Sequence, residues 1–147
     1  NSVEHDKEWY QKRQEELKKL DIDNCTVHHR PPSPIENGVS GDPADPDDYV
    51  SSDESYEGMT FRDYAAQIDE YPDGHFDLIV VDGRARPSCF KHSVPKVKET
   101  GMLVWDNTNR HHYHPAMKFA PASFEYLRCP GPTPFLEHFT ETSLWSG

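Results

Sequence analysis

The sequence predicts an α/β domain built on a mostly parallel sheet with helices on both faces. Two apolar runs, Leu78–Val81 and Met102–Trp105, each end in an aspartate, Asp82 and Asp106, and a helix-length segment separates them. Continuous apolar runs bounded by turn residues suit strands buried on both faces, and strands alternating with helices suit a parallel sheet. Ligands of such sheets bind beyond the carboxyl ends of the strands, where Asp82 and Asp106 fall. Two acids there mark a candidate site.

The other elements follow in order. Ser2–Glu4 reads as the end of a strand. Asp6 can cap a helix from Lys7 to about Leu20, with Trp9, Tyr10, Arg13, Leu17 and Leu20 at helical spacing. Cys25–His29 alternates as a strand does, and Pro31, Pro32 and Pro34 stop regular structure. Residues 31–58 hold prolines, glycines, serines and acids with few large aliphatics; this predicts a solvated loop or insertion, with a lid over a site as the alternative. A short helix over Phe61–Ile68, capped by Thr60, and a turn at Pro72–Gly74 lead into the strand Phe76–Val81. Pro87 opens a helix to about Lys98, kinked by Pro95, and Thr100–Gly101 starts the next strand. A short helix near Pro115–Phe119 and two strands, Phe124–Arg128 and Phe139–Leu144, complete a single domain over residues 1–147.

The chain has 147 residues and a formal net charge of −11, from 26 acidic against 15 basic residues. That excludes nucleic-acid binding through a broad basic surface and docking on anionic lipid. Asp42, Asp45, Asp47, Asp48, Asp53, Glu54 and Glu57 crowd one segment. Such acidity suits a salt-loving organism and equally a soluble protein with an acidic loop. Cys25, Cys89 and Cys129 are dispersed without a CxxC, which predicts reduced thiols, and no apolar run is long enough to span a membrane. The expected location is cytoplasmic.

The blocks SVEHDKEWY, FDLIVVDGRAR and ETGMLVWDN, in this order, resemble the class I S-adenosylmethionine-dependent methyltransferases. The resemblance covers about residues 1–119 apart from the acidic insertion. It implies a Rossmann-like sheet and an enzyme that transfers a methyl group to an oxygen of a small-molecule or sugar-type acceptor. It also implies that Glu4, with His5 beside it, holds the ribose of the cofactor, and that Asp82 lies at the cofactor and the reacting centre. Thr100–Gly101 replaces the family's Gly-Gly. The family's glycine-rich loop and first strand, which would lie between the strands ending at Glu4 and Asp82, are absent from these residues. The expectation is therefore a domain truncated at its N-terminus, inactive as these 147 residues alone.

In the metal-dependent branch of that family, residues at the places of Asp82, Asp106 and Asn107 bind a divalent cation such as Mg²⁺, while Ala85 here replaces its lysine base. Three readings stay open for this trio: metal ligands, metal-free catalysis or cofactor contact, and helix caps and turns. Arg84, Arg86 and Arg110 bracket the same mouth, with Tyr113 nearby. Arginine clamps carboxylates bidentately, so an acidic acceptor such as a sugar acid, or simple ion pairs, account for them. His28–His29 and His111, His112 and His114 lack helical zinc spacing and read as loop residues, one of which can face the acceptor. Cys89 reads as core. The alternatives to a methyltransferase are a non-catalytic binding or scaffold module of the same fold and a nicotinamide dehydrogenase. A homo-oligomer stays open.

Overall fold

The computed structural model describes residues 1–36, 41–133 and 137–147. Strand β1 (Ser2–Glu4) leads into α1 (Lys7–Lys19), whose first turn is held by Asp6: its carboxylate accepts from Trp9 N at 2.8 Å. The helix returns the chain to β2 (Val27–His29), which pairs in parallel with β1, Glu4 opposite His29. Only part of the predicted apolar stripe is used. Tyr10 stacks on His29 with ring centres 5.0 Å apart, whereas Trp9 and Leu20 remain exposed.

The core lies in a second sheet. Strand β5 (Phe76–Val81) pairs in parallel with β6 (Val97–Trp105), and β6 continues antiparallel into β8 (Phe139–Ser146) and then β7 (Glu125–Pro132). Helix α3 (Arg86–Ser93) and the 3₁₀ turns of His111–Phe119 cover the face that carries Ile79, Val81, Leu103 and Trp105. Trp105 is fully buried, stacked between Phe90 at 4.2 Å and Tyr113 at 5.6 Å. Burying such rings contributes the largest apolar areas of the fold.

This corrects the predicted fold class. The single Rossmann-like parallel sheet is not formed: the four-stranded sheet is mixed, and β1–β2 is a separate two-stranded sheet. The physical reason is that, among the described residues, no strand joins the free edge of β1 to that of β5. Nor are the two apolar runs buried on both faces. Leu78 and Val80 are 55% and 60% exposed, and Met102 is exposed too, because helices pack on one face of this sheet only.

Local boundaries also shift. The helix predicted over Phe61–Ile68 is α2 (Arg62–Ala66) followed by 3₁₀ turns at Gln67–Glu70; Thr60 does not cap it but pairs, in β4 (Met59–Thr60), with β3 (Ser33–Pro34). The helix after Pro87 stops at Ser93, with Pro95 in a 3₁₀ turn beyond it. Thr100–Gly101 lies inside β6 instead of opening it. Gly101 is required there: a Cβ would come within 3.0 Å of the main-chain oxygens of Phe76 and Asp77.

The acidic segment is folded wherever it is described; residues 37–40 of the predicted loop lie outside the described residues. Tyr49 and Val50 are buried, Phe61 N donates to Tyr49 O at 2.7 Å, and Tyr49 Oη meets His92 Nε2 at 3.1 Å. Its aromatic and aliphatic residues give it an anchor that its composition concealed.

Candidate functional site

The carboxyl ends of β5 and β6 lie side by side, since Asp106 N donates to Val81 O at 3.1 Å. Arg86, the first residue of α3, is placed between the two strand ends. Its Nη2 is 2.9 Å from Asp82 Oδ1, and its Nη1 donates to Asp106 Oδ2 at 3.1 Å and to Asp106 O at 2.9 Å. The guanidinium also donates from Nε to Gly83 O at 2.9 Å and from Nη2 to Asp82 O at 3.3 Å. Thr142 Oγ1, from β8, donates to Asp106 Oδ1 at 2.7 Å. The planar fork of arginine suits this bridging of carboxylates and carbonyls.

The two carboxyls are driven apart electrostatically. Burial, together with the neighbouring Asp106, raises the Asp82 carboxyl above the ordinary aspartate value, with Arg86 opposing. At Asp106 burial also pushes upward, but the hydrogen bond from Thr142 and the charge of Arg86 oppose it, and the group is held low.

Of the trio Asp82, Asp106 and Asn107, the two aspartates pair with Arg86. The positive charge between the two carboxylates is supplied by Arg86. Asn107 instead occupies a left-handed turn conformation, φ 57°, and its main-chain oxygen accepts from Arg110 N at 3.0 Å.

Glu4 and His5, far from Asp82 in sequence, line one cavity of about 720 Å³ with it and with Gly83, Arg84 and Arg86. Its walls are β1 on one side and β5, with Leu78 and Val80, on the other. His5 Nδ1 is 3.0 Å from Glu4 Oε1, and His5 Nε2 is 2.9 Å from Tyr56 Oη. A carboxylate only accepts, so Nδ1 carries the proton and Nε2 accepts from the tyrosine. Burial lowers the His5 value, with Arg84 adding to it and Glu4 opposing. Glu4 Oε1 also accepts from Asp6 N at 2.8 Å, so the same oxygen is held by two donors. His5 is further enclosed by Phe61 and Tyr64.

A second cavity, about 280 Å³, lies on the other side of the β5–α3 loop and shares Gly83, Arg84 and Arg86 with the first. It brings together the predicted residues Arg84, Arg86, Arg110 and Tyr113. Asp106 and Asn107 line neither cavity and join the site only through Arg86 and the turn that follows β6. The sequence reading missed Asp53, whose Oδ2 is 2.8 Å from Arg84 Nη1, because it stood among acids taken as solvated. It also missed Tyr64, whose hydroxyl fills the space beside Gly83 and leaves 1.9 Å to the position of a Cβ there. The glycine of Asp82–Gly83 was the available signal.

The histidines do not assemble into a centre. His114 Nε2 meets Thr108 O at 3.1 Å, and His111 packs edge-on against His114. Cys89 is a core thiol pushed up to about 12 by burial, and no disulfide forms: Cys25, Cys89 and Cys129 are free. No helix among the described residues is long and apolar enough to cross a membrane. No known family model matches the sequence, and no curated protein matches it either.

Proposed function

We propose that the chain carries the cofactor-ribose and acceptor side of an S-adenosylmethionine-dependent O-methyltransferase acting on a small-molecule or sugar-type acceptor. One observation carries the reading: Glu4, His5 and Asp82, which the sequence blocks single out for cofactor contact, line one cavity. Its volume of about 720 Å³ is in the range of small-molecule sites. The donor set fits the ribose end of the cofactor, because Glu4 lines the cavity and a carboxylate can accept two hydroxyl hydrogen bonds.

When bound, the cofactor supplies an electrophilic methyl group. The chain's own residues would do the rest. Glu4 accepts hydroxyl hydrogen bonds, and His5, braced by Tyr56, fixes its orientation. Asp82, the more exposed of the two carboxyls and the one shifted upward, takes the acceptor's hydroxyl proton. Arg86 holds that carboxylate in place and stabilises its charge until the proton arrives. Positioning, more than acid–base chemistry, supplies most of the rate.

Titration calorimetry with S-adenosylmethionine on the natural polypeptide at its full length tests this. Glu4→Gln keeps an acceptor oxygen but loses the charge, and should weaken binding by about 1–3 kcal/mol. Absence of binding, or equal affinity of the variant, overturns the assignment. The closed Asp82–Arg86–Asp106 network favours one rival reading, a binding module without chemistry. Cofactor binding with no methyl transfer to any hydroxyl acceptor would select it.

A further inference from the structure

The smaller cavity has a charge pattern that neither its size nor the rest of the chain explains. Three arginines, Arg84, Arg86 and Arg110, line it with a single acidic residue, Asp53. Arg86 is satisfied from behind by Asp82 and Asp106. Arg110 is not. Its side-chain contact is a hydrogen bond from Nη1 to Tyr113 Oη at 3.0 Å, and among the described residues it has no carboxylate partner.

That vacancy stands out in a chain of net charge −11. The acids of the neighbouring segment turn elsewhere. Asp42 Oδ1 and Asp45 Oδ1 accept from the main chain of their own turns, Asp48 Oδ2 accepts from Asp42 N, and Asp47 pairs with Lys91. Only Asp53 reaches in, and it sits on Arg84 at 2.8 Å. The fold thus shows a carboxylate on one arginine of the cavity and leaves the other open. Pro43, Val50 and Pro87 supply apolar wall between the charged groups. The volume, about 280 Å³, equals the liquid share of about nine waters, so the occupant is compact.

We propose that this cavity is a binding site for a small organic carboxylate, anchored by Arg110 and clamped by Arg84, which exchanges Asp53 for the ligand. An aliphatic acid of a few carbons matches the arginines and the apolar wall together; a nucleotide is too large, and a cation meets the wrong charge. The site goes beyond the methyltransferase reading: it shares Gly83, Arg84 and Arg86 with the larger cavity, but its anchor Arg110 and its carboxylate Asp53 line the smaller one alone.

The test is an NMR titration of the 147-residue chain with succinate, following the arginine Nε–H signals and the amides of residues 83–86. Succinate should shift them saturably, and the uncharged succinamide should not. Arg110→Gln, an exposed position, should raise the dissociation constant about tenfold or more, and Arg84→Gln should act in the same direction. Asp53→Asn keeps the turn to Ser55 but frees Arg84, so it should tighten binding severalfold. Equal shifts with succinamide, an unchanged constant in both arginine variants whose amide spectra remain dispersed, or stronger binding of inorganic phosphate than of succinate would overturn the proposal. None of these readouts depends on S-adenosylmethionine, so its failure to bind would leave this result intact.

Discussion

Arg86 Nη1 donates to the main-chain oxygen of Asp106 at 2.9 Å and to its Oδ2 at 3.1 Å, so one guanidinium ties the start of α3 to the end of β6. Asp82 completes the bridge from the end of β5. The side chain of Arg86 is 11% exposed, so removing it leaves the Asp106 side of the pairing without its donor away from bulk water. Arg86→Ala should lower stability by about 2–3 kcal/mol in urea unfolding, because it leaves Asp106 facing Asp82 without a cation. Arg86→Lys restores the charge without the fork and should recover only part of the loss.

Gly83→Ala should be poorly tolerated for a packing reason. The added Cβ would lie 1.9 Å from the Tyr64 hydroxyl and 2.9 Å from Cζ of the ring. Either Tyr64 or the β5–α3 loop must move, at about 1–3 kcal/mol. The double variant Gly83→Ala, Tyr64→Phe removes the nearest atom and should regain part of that stability in the same unfolding assay.

Acid stability should depend on Glu141. Its side chain is only 5% exposed, Arg128 Nη2 lies 2.6 Å from Oε2, and Thr108 Oγ1 donates to Oε1 at 3.1 Å. The hydrogen bond from Arg128, with Thr108 adding to it and burial opposing, holds this carboxyl below the ordinary glutamate value. A lowered carboxyl stabilises the fold above its ordinary value and loses that contribution as pH falls through the folded one. Glu141→Gln should therefore cost about 1–3 kcal/mol near neutral pH and progressively less as pH falls below the ordinary glutamate value. A melting-temperature difference between wild type and variant that stays constant with pH would contradict this.

The outer edge of β5 predicts self-association. Leu78 and Val80 are exposed beside unpaired strand edges on both walls of the larger cavity. Such edges template pairing with another chain, and a lysine on the strand opposes it. Light scattering after gel filtration should show concentration-dependent oligomers of the 147-residue chain, and Val80→Lys should shift it toward monomer. A strictly monomeric wild type would mean that the edges are blocked in solution.

The elements with local signals were legible in the sequence. Asp6 before a helical stripe, the runs 78–81 and 102–105, and the turn at Pro72–Gly74 all appear where the residues indicate. Sheet architecture was not, because an apolar run does not state how many partners its strand will find. Leu78 and Val80 read as buried on both sides, yet the helices cover only the opposite face. At the site, Glu4 and Asp82 were legible from their places at strand ends. The partners that occupy them, Arg86 on Asp82 and His5 on Glu4, depend on side-chain geometry that spacing leaves open.

The same geometry decides what a divalent cation should do. In the wild-type protein Arg86 supplies the positive charge between Asp82 and Asp106, so Mg²⁺ would have to displace a guanidinium held by two carboxylates and three carbonyl oxygens. Millimolar Mg²⁺ or a chelator should leave the melting temperature unchanged. In Arg86→Ala the two carboxylates lose their cation while Asn107 stays next in the chain, and hard oxygen ligands of this kind suit Mg²⁺ or Ca²⁺. Binding to the folded state alone raises stability by mass action, so the variant's melting temperature should rise with added metal where the wild type's does not. Equal metal responses of the two proteins would show that Arg86 does not stand in for the ion. A rise in wild type alone would return Asp82, Asp106 and Asn107 to the role of ligands.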